Sequence, residues 1–365
     1  MNSRERLLAA LERQLPDRLP VTTHHLMPSF LAGMGGISER EFFDRFGLDA
    51  NRWVGALRRD AAEPLDDWRV EREDVPNSDC VTTCFHIATP SGRLSMVLQN
   101  DGHSEWVRER LIKRKDDIEL IARHAPVPLC DVEQVNREAA GLGERGIVRG
   151  AVPGFPIYGQ PGCWQDAAVL FGIEALIVET FDDPVWVKEL LAILQRRKMA
   201  WLQSARGARF DLVELGGGDA SSTVISPKIF DRFVAPFDAP LIAAAHEAGQ
   251  RVVYHTCGGM MPILERIADM GPDAMETFTP PSMGGDADLR EAKRCIGGRV
   301  CMIGGFDQFH FLVGCPPEVT RQAVRRCFEE AGRDGGYILA PSDHFFQAEE
   351  ELLRAYAGEA GSCRY

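Results

Sequence analysis

Hydrophobic positions change their period along this chain, and the changes outline the fold. Apolar residues recur at helical spacing from Arg4 to Gln14. After Leu15-Pro16-Asp17-Arg18-Leu19-Pro20, a short extended run from Val21 to His25 leads into a first strand. From about 27 to 125 the pattern is irregular, with a helical run at Glu39 to Phe46 and alternating segments near Val81 to Ala88 and Leu94 to Leu98. Pro90, Gly92 and Gly102 punctuate it. This stretch reads as an α+β insertion, or cap, over one end of the fold.

From about 126 onward short apolar runs alternate with helical patterns. Strands are expected at Ile147 to Val152, Phe210 to Leu215, Arg251 to His255, Ala274 to Phe278, Val300 to Ile303 and Tyr337 to Ala340. Helices are expected through 164 to 206 and at Pro227 to Glu247, Met261 to Met270, Ala287 to Ile296, Pro317 to Ala331 and Ala348 to Ala357. Repeated βα units with near-continuous apolar strands point to a parallel sheet with helices outside it. The expected fold is an α/β (β/α)8 TIM barrel, a single domain over residues 1–365, with 27–125 inserted over its C-terminal face. A doubly wound sheet would carry G-x-G-x-x-G in its first βα turn, and Gly216-Gly217-Gly218 does not have that spacing.

In such a barrel the active site lies at the C-terminal ends of the strands. Polar residues collect there: Glu214 and Asp219, His255 and Cys257, Glu276, Asp307, and Asp343 with His344. His255 and Cys257 are two apart, so they share a strand face and can reach one ion. Imidazole and thiolate are preferred zinc ligands, and a catalytic site needs three protein ligands with one position open. Asp343, His344 and Glu276 are all placed to be the third. Glu276, among apolar neighbours, would be costly to bury unless paired or metal-bound. Asp307 is a candidate general acid or base, or a helix cap. His24 and His25 close the presumed first strand and are candidate substrate contacts, as are Glu214 and Asp219. Phe30, Met34 and Trp53 are candidate pocket walls.

Composition narrows the function. The net charge is −13, with no clustered Lys/Arg stripe, which excludes the footprint of a nucleic-acid binder. No segment approaches 18 uncharged apolar residues, so no membrane span is expected. The N-terminus lacks the apolar core of a signal peptide, and a cytoplasmic location is expected. Ten scattered cysteines suit buried thiols in a reducing compartment.

The opening Ser3-Arg4-Glu5-Arg6-Leu7-Leu8-Ala9-Ala10-Leu11 with Pro16-Asp17-Arg18-Leu19-Pro20-Val21 resembles the start of the uroporphyrinogen decarboxylase superfamily. So do Ile225-Ser226-Pro227-Lys228-Ile229-Phe230 with Pro236, and Gly304-Gly305-Phe306-Asp307. The resemblance implies a TIM barrel with one of two activities: decarboxylation of uroporphyrinogen, or zinc-dependent methyl transfer to or from a corrinoid. The decarboxylases carry an arginine-rich segment just after the lead-in. Here Val21 to Phe30 contains no arginine, and none follows until Arg40. The methyltransferases carry the H-x-C that His255 and Cys257 match, with a further cysteine in a G-C-G segment of the last strand.

That segment here is Pro341-Ser342-Asp343-His344. Asp343 is the nearest match to the missing cysteine, and a one-residue shift would select Ser342 instead. The expected metal ligands are therefore His255, Cys257 and Asp343, with Glu276, Asp307 and His344 as catalytic candidates. The resemblance implies zinc, a small methylated substrate such as a methoxylated aromatic, a corrinoid (cobalamin) supplied by a partner protein, and a homodimer. The chain has no corrinoid-binding D-x-H-x-x-G motif of its own. The rival expectations are a decarboxylase or lyase acting on a smaller acid, for which Arg149 would be a cationic donor, and a binding module with an inactive site.

Overall fold

The computed structural model describes residues 1–58, 67–76, 80–102, 104–344 and 347–365. Its strands in chain order are β1 (Ala50–Trp53), β2 (Arg69–Pro76), β3 (Val81–Thr89), β4 (Gly92–Asn100), β5 (Glu105–Glu109), β6 (Gly146–Ala151), β7 (Leu212–Gly216), β8 (Val252–His255), β9 (Ala274–Thr277), β10 (Cys301–Phe306) and β11 (Tyr337–Pro341). β1 and β6 to β11 form a seven-stranded parallel sheet in the order β1-β6-β7-β8-β9-β10-β11. Helices such as Pro184–Ser204, Ala235–Glu247 and Pro317–Cys327 connect or flank these strands. Every residue of β7, β9 and β11 is buried, as expected of strands covered on both faces.

The two edges of this curled sheet approach each other through one segment. Val21 bridges Leu339 of β11 in parallel. Thr22 donates to the Leu339 carbonyl, Leu339 donates to Pro20, and Asp49, just before β1, donates to Val21. The arrangement is compatible with the (β/α)8 expectation, with seven regular strands and an eighth position held by a single bridge. The expected strand Val21 to His25 shortens to that bridge because the chain bends at His24.

The 27–125 stretch is not one insertion. β1 lies inside it and pairs with β6, from Ala50 opposite Gly146 to Trp53 opposite Arg149. A separate antiparallel sheet, β2-β3-β4-β5, follows β1. β4 buries Leu94, Met96 and Leu98 on one face, the alternation read from the sequence. Trp68 packs edge-on against Phe155, and the Tyr158 hydroxyl donates to the Glu105 carbonyl. These contacts place the sheet beside the loop after β6. Residues 59–66, 77–79 and 103 of the stretch lie outside the described residues.

The interior of the parallel sheet is layered. Its lower layer is apolar, with Ile147, Leu212, Val253, Ala274, Cys301, Ile303, Ile338 and Ala340 packed against Leu7, Ala10 and Leu11 of the first helix, Ser3–Leu11. Each fully buried Leu, Ile or Val contributes roughly 1.5–3 kcal/mol. Arg4 pins that helix to the base by a two-bond ion pair with Asp211. Two residues further along four of these strands stand Arg149, Glu214, His255 and Glu276. Strand alternation alone thus stacks a polar layer on the apolar one. Among the described residues, no helix is long and apolar enough to cross a membrane.

Candidate metal and substrate site

The polar layer is organised around Arg149, which is 2 % exposed. It donates to both oxygens of Glu276, at 2.9 and 2.6 Å, and to Glu214 at 3.0 Å. A buried guanidinium is tolerable only because its charge is matched in this way. Burial alone would raise the Glu276 carboxyl, but Arg149, His24 and His255 hold it well below the ordinary carboxylate range. Burial pushes the Glu214 carboxyl upward, and the neighbouring Glu276 charge adds to the push. One carboxylate is therefore kept ionised and the other inclined to hold a proton, a separation typical of reactive sites.

Glu276 faces His255 because the two occupy paired positions on β8 and β9. Its Oε1 lies 3.0 Å from His255 Nδ1. Burial disfavours charge on this ring, yet Cys257, Glu276 and Glu214 together raise His255 well above its ordinary value. The Cys257 thiol lies near enough to the same ring to add to that rise. Gly218 makes room for it, since a Cβ there would stand 2.5 Å from Cys257 Sγ. The order Glu276, His255, Cys257 is the carboxylate–histidine–ligand pattern in which the carboxylate fixes the ring for metal binding.

His24, His25 and His344 gather beside this row. The His24 ring stacks on His255 with centroids 5.4 Å apart, and meets His25 and His344 edge-on at 4.9 and 5.1 Å. His25 lies flat against Trp53 at 3.8 Å and parallel to His344 at 5.0 Å. The Arg149 guanidinium also lies over Trp53, 4.2 Å from the ring centroid. Burial holds the His24 imidazole well below its ordinary range. His25 is lowered to about 3, first by burial and then by His344 and Arg149. Asp343 Oδ1 lies 2.9 Å from His344 Nδ1 and also accepts from the His344 amide.

Among the described residues, two groups of potential ligands bring one atom of each member within 4.8 Å of the others: His24, His25 and His344, and His24, His255 and Glu276. Cys257 and Asp343 belong to neither group at that distance; burial alone would raise the Asp343 carboxyl, and His344, followed by the more distant His255 charge, lowers it.

Two of the expected site residues stand apart. Asp307 caps the helical turn Gln308–Phe311, accepting from the His310 amide, and also accepts from Ser282 Oγ at 2.5 Å with His310 Nδ1 at 2.8 Å. It lines a cavity of about 660 Å³ with Phe278, Ser282 and Arg326, which none of the four histidines reaches. Asp219 is held by Gln165, whose amide donates to it at 2.9 Å. Of the expected pocket walls, Trp53 belongs to the site, whereas Phe30 packs into the core edge-on to Phe42. The role of Arg149 was missed by sequence reasoning, because its ion pairs depend on register across three strands. Both Nη atoms of Arg149 are engaged by these carboxylates, whereas its buried Nε has no hydrogen-bond partner among the described residues.

Residues 146–349 match the family model for uroporphyrinogen decarboxylase (URO-D). The chain belongs to the uroporphyrinogen decarboxylase family. Among solved structures it is similar to a methyltransferase from Methanosarcina mazei, at 15% identity over 99% of both chains, with a TM-score of 0.66. It is also similar to a B12-independent methionine synthase from Shewanella sp. W3-18-1 in complex with selenomethionine, at 8% identity over 94% of this chain and 96% of that one, with a TM-score of 0.51. At these identities the likeness is one of fold. No curated protein matches the chain.

Proposed function

We propose that this member of the family transfers a methyl group between a small methylated substrate, preferentially a methoxylated aromatic, and a corrinoid carried by a separate protein. The observation that carries the reading is the row Glu276, His255, Cys257, in which a charged carboxylate turns one imidazole nitrogen away from itself and a thiol stands beside the same ring. The M. mazei methyltransferase supplies a precedent for methyl transfer on this fold.

The donor types suit zinc, although His255, Cys257 and Asp343 do not converge within 4.8 Å of one another. His255 and Cys257 are its preferred ligand types, and Asp343, whose Oδ1 is engaged by His344, retains Oδ2 as a third. Bound there, zinc would act as a Lewis acid on the heteroatom that bears the methyl group. Glu276 orients His255, and Arg149 keeps Glu276 ionised for that task. Glu214, whose carboxyl burial pushes upward, stands close by, His24 and His25 border the substrate, and His344 stands at the mouth. Trp53 Nε1 is buried and has no hydrogen-bond partner among the described residues, which makes it a ready donor to a substrate oxygen. Asp307 serves a separate cavity in this reading, and Asp219 supports the loop after β7. The chain would act as one domain in the cytoplasm, as a homodimer.

The test is a spectral titration of cob(I)alamin with a methoxylated aromatic in the presence of the zinc-loaded protein. Conversion to methylcobalamin, lost on chelation and in Cys257→Ser, is the expected result. An unchanged cob(I)alamin spectrum with the zinc-loaded protein overturns the proposal.

A further inference from the structure

We infer that His24, His25 and His344 form a second, all-nitrogen site for a divalent transition metal, distinct from the thiolate site at His255 and Cys257. The three rings each present one nitrogen, and these atoms lie within 4.8 Å of one another. Ligands around a tetrahedral ion with bonds of 2.0–2.1 Å are separated by about 3.4 Å, so small side-chain rotations close the triad.

The rings are held in place from outside. Asp343 engages Nδ1 of His344, so Nε2 is the ring nitrogen that His344 would offer a metal. This repeats the relation of Glu276 to His255, and carboxylate partners of this kind orient histidine ligands. His25 is pinned flat on Trp53, which is itself fixed by Arg149. His24 is buried, and among the described residues no ring nitrogen of His24 or His25 has a hydrogen-bond partner.

Neutral imidazoles suit zinc, cobalt and nickel and do not suit magnesium or calcium, which require oxygen donors. Three protein ligands leave a coordination position open, the arrangement of reactive rather than structural metal sites. The His24 ring stacks on His255, so an ion here would face a substrate held at the thiolate site. The inference does not depend on methyl transfer.

The experiment uses the full-length Cys257→Ala protein, stripped with a chelator and titrated with Co²⁺. Binding is followed by visible absorption and by metal analysis. We expect one cobalt per chain, without the sulfur-to-cobalt charge-transfer band expected of the unsubstituted protein. Adding His25→Gln or, separately, His344→Gln should weaken that binding at least about tenfold, at the low end of what the loss of a histidine's carboxylate partner already costs. Circular dichroism checks that each variant is folded, and either variant alone is decisive. Absence of cobalt binding in Cys257→Ala overturns the inference, as does binding that a folded His25→Gln or His344→Gln variant leaves unchanged.

Discussion

Oε1 of Glu276 lies 3.0 Å from Nδ1 of His255, and the same oxygen accepts from Arg149 Nη2 at 2.6 Å. One carboxylate atom therefore links the orientation of the ring to the buried Arg149 guanidinium. Glu276→Gln keeps the shape and removes the charge. Metal affinity at the thiolate site should fall by about 10- to 100-fold, because the ring loses its orienting anion. Stability should fall by up to about 3–5 kcal/mol, since Arg149 is left underneutralised. Zinc competition with a chromophoric chelator and urea unfolding measure the two effects separately, and unchanged zinc affinity would contradict the orienting role.

Gly218 offers a finer perturbation of the same site. An alanine methyl there would collide with Cys257 Sγ at 2.5 Å, so the thiol must move. Gly218→Ala is expected to fold with a near-normal unfolding temperature and to lose most zinc binding at Cys257. A variant that binds zinc as the unsubstituted protein does would show that the thiol position is immaterial.

The cysteines should separate by reactivity. Burial pushes Cys130, Cys301 and Cys327 up to about 12, so at pH 8 they remain thiols and resist alkylation. Cys257 is only half-buried and lies beside an imidazole. Iodoacetamide labelling read by peptide mass spectrometry should modify Cys257 in stripped protein and spare it after zinc loading. Equal labelling with and without zinc would count against metal binding at that thiol.

At the base of the fold, pH dependence comes from Asp17. Its hydrogen bond to Arg6, acting against a smaller burial penalty, holds Asp17 well below the ordinary carboxylate range. The unfolded chain therefore takes up this proton first. The stabilisation is complete above the unfolded value near 4 and is lost as pH falls through the lower folded value. The group is partly exposed, so its contribution is screened to about 1 kcal/mol. Asp17→Asn should lower the unfolding temperature at pH 7 and flatten its decline between pH 5 and 2, as followed by circular dichroism.

The strands that were legible in the sequence are the ones covered on both faces. β7, β8, β9 and β11 are short apolar runs because every residue, or nearly every residue, of each is buried. β1 escaped notice because two of its four residues are polar: Arg52 reaches outward to Glu39 and Glu138, and Asn51 is buried. β2 was hidden by its charges, which an exposed edge strand tolerates. At the site, the spacing of His255 and Cys257 was readable from strand alternation. The triad of His24, His25 and His344 was not, because it joins segments that only sheet closure brings together. Asp307 looked like its neighbours at the other strand ends, and only Ser282 and His310 reveal that it serves another cavity.

The bridge between Val21 and Leu339 has a consequence for the order of assembly. His24 and His25 follow one side of that bridge and His344 the other, so the cluster joins nearly the first and nearly the last strand to be synthesised. Contacts of such sequence separation come at a high entropic cost and form late in folding. During translation the His255–Glu276 half of the site can form while the remainder of the chain is still emerging. The histidine cluster cannot, and its completion marks the moment at which the ring of strands becomes whole.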